Sequence, residues 1–149
     1  MSMEIYVLSD QRLASVSDWQ QAIEAEGFGL TLGTERSFDE LRGHLPAQLG
    51  DEHAGFECDH WDAEDLMATY SDLDYGHRWA HALAFRFGGD VHACLGAYMA
   101  ATAYARATGG VVLECEELKL LVPQQALETA RAIEQFVHDF GGKLPELPS

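Results

Sequence analysis

The sequence predicts a single domain of α/β to α+β class over residues 1–142, a mixed β-sheet with helices packed on it, followed by a short tail at 143–149. Three observations predict it. Short β-branched and aromatic runs alternate with segments of helical period, the pattern of a sheet covered by helices. Capping residues and glycine pairs punctuate those segments. The chain is also long enough, at 149 residues and 47% hydrophobic, to fold around one core, since a chain of this size buries roughly 68–70% of its unfolded surface.

Ile5 to Leu8 reads as the first strand, closed by Ser9-Asp10. Ser17 with Gln20 has the spacing of a capping box, opening a helix with Trp19, Ala22, Ile23 and Glu26 on one face and Gly27 at its end. Phe28 to Leu32 forms a second strand. Ser37 and Glu40 predict another capping box and a brief helix that stops at Gly43 ahead of Pro46. Residues 51–58 hold a third strand ending in Gly55-Phe56-Glu57-Cys58. Asp62 caps a helix carrying Leu66, Met67 and Tyr70.

Trp79 to Phe87 fits both periods. As a strand it shows Trp79, His81, Leu83, Phe85 and Phe87 on one face and alanines on the other, a face on which a helix packs closely. Strand is preferred because Gly88-Gly89 ends it. Asp90 caps a helix over 91–108, with Val91, Leu95, Tyr98, Thr102 and Ala105 along one side and Thr108-Gly109-Gly110 as terminator. Val111 to Leu113 and Leu118 to Val122 read as strands around Glu116-Glu117. Pro123 opens a last helix, with Ala126, Ala130, Ile133 and Val137 inward and Gly141-Gly142 closing it.

Charge is the outstanding feature of composition. There are 25 acids against 9 bases, a formal net charge of −16. Such a surface repels phosphate backbones and anionic lipid, and steers toward a basic partner or a cation. Nucleic acid and membrane are therefore not expected partners. Three widely spaced cysteines, Cys58, Cys94 and Cys115, do not make a disulfide framework and fit a reducing compartment. Met1-Ser2-Met3-Glu4 has no basic segment, and Ile5 to Leu8 is too short for a signal peptide. No stretch approaches the ~18 apolar residues of a spanning helix, so a cytoplasmic protein is expected.

Nine acids lie between Asp51 and Asp74 with no lysine or arginine among them: Asp51, Glu52, Glu57, Asp59, Asp62, Glu64, Asp65, Asp72 and Asp74. A run of acids alone is the composition of a solvated face. Here it interleaves with Phe56, Trp61, Tyr70 and Tyr75. Charges that steer an encounter beside aromatic anchors that bury area are what a binding surface for a basic protein needs.

A second constellation is Cys58-Asp59-His60, His77-x-x-x-His81 and His92-x-Cys94. Cys58, His60, His77, His81 and His92 are ligand types that suit zinc, but no short C-x-x-C or His-Glu-x-x-His pair anchors them. The expectation is His81 in the core, His60 and His77 on the surface, and no stoichiometric metal or other cofactor. Catalytic signatures are missing: there is no Gly-x-Ser-x-Gly elbow, Walker loop or dinucleotide fingerprint. Gly88-Gly89-Asp90 reads as a helix cap.

Leu45-Pro46 through Gly55-Phe56-Glu57, with Thr108-Gly109-Gly110-Val111-Val112 before Pro123, resemble patterns in small acidic bacterial immunity-type proteins encoded beside toxins. The resemblance spans residues 43–140 and implies a neutralising partner-binder with no catalytic residues. The leading expectation is thus a non-enzymatic protein that binds a basic toxin domain, such as a nuclease, through residues 51–75. The alternatives are a metal-binding protein or metal-dependent hydrolase using the His/Cys set, and a regulatory small-ligand domain.

Overall fold

The central strand of the fold is β1, Met3–Ser9, and its sequence explains its place. Successive strand residues face opposite sides of a sheet. Ile5 and Val7 therefore enter one core and Tyr6 and Leu8 another, and all four are buried. A continuous apolar run is what a strand covered on both faces requires. The computed structural model describes residues 3–33 and 36–139. The expected Gly141-Gly142 stop and the 143–149 tail lie outside them.

In chain order there follow α1 (Val16–Ala25), β2 (Leu30–Leu32), a 3-10 turn at Phe38–Glu40, β3 (His44–Leu45), β4 (Ala47–Leu49), β5 (Glu52–His53) and β6 (Phe56–Trp61). Then come α2 (Ala63–Thr69), β7 (His81–Phe87), α3 (Val91–Thr108), β8 (Val111–Glu114), β9 (Lys119–Leu121) and α4 (Pro123–Asp139). Six strands form a sheet of order β3-β6-β7-β1-β8-β9, and β2-β4-β5 form a smaller one. Every pairing among them is antiparallel. The molecule is an α+β fold, within the expected class.

Helices α1, α3 and α4 cover one face of the larger sheet, packed on Leu83, Phe85, Phe87, Phe56 and Val112. The opposite face of β7 presents Ala82 and Ala84, and Ala63 and Leu66 of α2 cluster with them. The alanine face admits a helix as expected. The strand itself begins at His81, leaving Trp79 in the preceding loop.

Helix α3 matches its expected bounds. Asp90 accepts from the His92 N–H at 2.9 Å, and Gly109 takes the left-handed conformation at φ 71° that favours glycine. Leu95 and Tyr98 are buried, and so are Ala97, Met99, Ala100, Ala101, Ala103 and Tyr104. Every residue from Leu95 to Ala105 is buried, and a stretch buried all round carries no polar face. Its small residues let neighbours approach: a Cβ on Gly96 would stand 2.4 Å from the Ala54 carbonyl oxygen.

Several local expectations need correction. The N-cap of α1 is Ser15, whose Oγ accepts from the Asp18 N–H at 3.0 Å, not Ser17. Gln20 instead reaches β2, donating to the Leu30 carbonyl (2.9 Å) and accepting from the Leu32 N–H (2.8 Å). That side chain closes a strand edge that would otherwise be unpaired. Ser37 makes no cap, and the expected helix is only the 3-10 turn. The third strand divides into β5 and β6, which belong to different sheets. Pairing with β7 carries β6 on through Asp59, His60 and Trp61. The strand expected from Leu118 to Val122 shortens to β9, because Leu118 sits at φ 51° in the turn before it.

The Gly96 contact makes a direct test of this packing. Gly96→Ala should destabilise the protein by about 1–3 kcal/mol, the cost of overpacking against backbone. Gly89→Ala meets nothing within 4 Å and should stay within about 0.5 kcal/mol of wild type. Urea denaturation of both variants checks the pair.

Candidate functional site

The alternation of β6 sorts the residues of the acidic segment. Phe56 and Cys58 point to the α3 side and are core residues. Glu57, Asp59 and Trp61 point to the other face. Phe56 is thus no surface anchor: it packs beside Phe85, ring centroids 5.5 Å apart. Trp61 is one of the exposed large hydrophobics, 43% accessible, and stands edge-on to Tyr6 at 5.5 Å. Beneath it the Tyr6 hydroxyl donates to Glu4 at 2.8 Å. Burial and that carboxylate together push its phenol far above the ordinary tyrosine range.

Asp62 follows as the N-cap of α2, accepting from the Asp65 N–H at 3.0 Å. With Ala63 and Leu66 inward, Glu64 and Asp65 are outward and exposed. Glu64 is taken by Arg78 at 2.9 Å, an exposed pair that is worth little energetically. Asp59 accepts from the Gly43 N–H at 2.9 Å. No described base lies within ion-pair distance of Asp59, Asp62 or Asp65.

Further along, Asp74 accepts from the Gly76 N–H at 3.0 Å, and Asp72 is exposed. Tyr70 and Tyr75 are half-buried supports, with the Tyr75 hydroxyl donating to the Tyr70 carbonyl at 2.8 Å. A hydrogen bond with Cys115, then burial, raises the Tyr70 phenol to about 12. Asp51 and Glu52 lie on and beside β5 in the smaller sheet. Glu57 sits at the Phe56 end of β6, 3.9 Å from Arg86. A six-residue strand spans roughly 20 Å at about 3.3 Å per residue. The long acidic segment is therefore not one patch, and its exposed aromatic centre is the Trp61 end.

The His/Cys set disperses. His60 Nε2 lies 2.8 Å from the Phe38 carbonyl oxygen, and its ring is 3.2 Å from Arg12. His77 pairs with Asp10 at 2.5 Å and lies against Trp79. His81 is half-buried at the start of β7, not a fully buried core histidine. His92 stands 3.7 Å from Asp90. Among the described residues, no three His, Cys, Asp or Glu side chains come together to hold a metal ion. Burial first, then the Asp59 charge, raises the Cys58 thiol.

Two arrangements escaped the sequence. Asp10 ties down the loop before β7 through His77 and the Ala80 N–H. A cleft of about 520 Å³ opens between Asp39–Arg42 and Asp59–His60. Its walls are about twenty positions apart in the chain, so no spacing rule signals it.

Comparison of the chain with protein families, curated proteins and solved structures found no match. No helix of the described residues is long and apolar enough to cross a membrane.

The thiols report directly on this burial. It raises Cys94 to about 11 from an ordinary 9.0, so at pH 8 its thiolate fraction falls about a hundredfold. Iodoacetamide should modify native Cys94 about a hundred times more slowly than a free thiol. Cys58 should react only after unfolding. Mass-spectrometric time courses with and without guanidinium check both, and rapid native labelling of Cys58 would contradict its place in the core.

Proposed function

We propose that this chain is a non-enzymatic binding protein for a basic protein partner, with Trp61 as anchor and Asp59, Asp62 and Asp65 as the charges around it. The observation that carries the reading is a large aromatic side chain left 43% exposed, with Asp59, Asp62 and Asp65 nearby in the chain and no described base in ion-pair distance of these three. Aromatic anchors contribute through buried contact. Acids at the rim act on the encounter, over a Debye length of about 8 Å at physiological ionic strength. The resemblance to immunity-type proteins supplies the partner's kind: a toxin domain, such as a nuclease, whose polyanionic substrate the acidic face imitates. A cytoplasmic location belongs to the same proposal. The metal-binding and small-ligand readings rest on no comparable feature of the described residues.

Capture from the encoding organism tests it, with wild-type and variant proteins as bait in parallel. The expected partner is basic and is retained by wild type. Trp61→Ala should speed its release about thirtyfold, the effect of a hot-spot residue worth ~2 kcal/mol, with little change in association. Replacing Asp59, Asp62 and Asp65 by Asn should slow association and flatten its salt dependence. Asn keeps the acceptor oxygen for Gly43 and is an equally good helix N-cap, so folding is preserved. Capture of a partner whose binding neither variant alters would sink the proposal.

A further inference from the structure

The geometry points to a particular way of holding that partner: the outer edge of β6 at Cys58–Trp61 takes up an extended basic segment as an added strand, with a basic side chain entering the cleft beside it. This rests on the reading above and refines it. In an antiparallel ladder the N–H and C=O of one residue point to the same side, and the side alternates along the strand. The Cys58 N–H bonds outward, to the Gly43 carbonyl at 2.8 Å. The His60 N–H and C=O therefore point outward as well.

Strand β3 does not reach them. Its pairs with β6 are His44 with Glu57 and Leu45 with Phe56, and at Gly43 (φ 73°) the chain turns away. The His60 backbone meets no described backbone partner on that side. The space left by the departing chain is the cleft of about 520 Å³, lined by Asp39, Glu40, Leu41, Arg42, Asp59 and His60.

Charge identifies the occupant. Arg12 takes Asp39 at 3.0 Å, while Glu40 has no described ionic partner and Asp59 accepts only the Gly43 N–H. Three carboxylates stand there against two arginines, Arg42 in the lining and Arg12 on Asp39, and the one negative charge left over suits a single lysine or arginine. In addition, Asp59, which lines the cleft, shares a face of β6 with Trp61 two residues on. The edge of β2, by contrast, is already closed by Gln20. Strand addition joins main-chain hydrogen bonds to side-chain pockets, and both halves are present here.

The probe is an acetylated, amidated hexapeptide of alternating Val and Arg, whose arginines share one face when extended. Its twin is methylated at every backbone nitrogen. At saturation the first peptide should slow exchange of the His60 amide at least tenfold. The twin should bind about tenfold more weakly or worse, having lost its donors. Glu40→Gln and Asp59→Asn should each weaken the first peptide several-fold at unchanged melting temperature. Equal binding of the twin, with perturbation confined to Trp61, Asp62 and Asp65, would overturn strand addition and leave the acidic-face reading standing. Binding by neither peptide also overturns strand addition, while the Trp61→Ala capture experiment decides the broader reading on its own.

Discussion

The indole of Trp19 donates to the carbonyl of Ala100, 3.0 Å away, at the middle of α3. That carbonyl also belongs to the helix ladder, and its second lone pair takes the indole. Around this bond Trp19 meets Phe38, Phe85 and Tyr104 edge-on at 5.6–6.0 Å. The sheet, α1 and the 3-10 turn thus converge on one buried side chain. Burial of an indole requires a partner for its N–H, and only a close approach to α3 supplies one. The alanines of α3 permit that approach, which is why the rest of the fold depends on a helix whose middle, Leu95 to Ala105, is buried all round.

A sheet covered by three helices on one face and by a short helix and loop on the other has unequal rims. The loop side is held by modest devices: Asp10 on His77 and Ala80, Tyr75 on Tyr70, and Arg78 on Glu64. Trp61 stands where this thinner layer ends. Several bases are meanwhile engaged within the fold's own surface, Arg86 with Glu4, Arg106 with Glu26 and Lys119 with Glu117. With 25 acids and 9 bases, pairing every base would still leave 16 acids, from 25 − 9. The negative field is therefore a property of the whole molecule, and an exposed aromatic gives it one place to act.

Elements with redundant local signals were legible. Helix α3 carried a cap, a long run of helical residues and a glycine terminator, and all three agree in the structure. Strand β7 carried a large-residue face and an alanine face, each now matched to its cover. The small sheet was not legible. Its strands and β3 are two or three residues long, too short for a period to show. Ser15 and Ser17 are equally good caps on paper, and packing of Trp19 and Ile23 selects the helix phase that begins after Ser15. For the candidate site, the sequence singled out Trp61 with its neighbouring acids, yet it also grouped Phe56, Asp51 and Glu52 with them. Nearness in the chain does not say which sheet or which face a residue joins.

The sequence by itself determined the class of the fold, the bounds of α3 and the negative charge, because each depends on composition or on contacts within a few residues. Tertiary structure decided which acids share a surface, that Phe56 is core while Trp61 is exposed, and that Glu40 and Asp59 face one cleft. Those outcomes follow from the side of β6 that packs on α3 and from the point at which β3 leaves its partner. Both are set by burial between segments distant in the chain, where local periodicity has no reach.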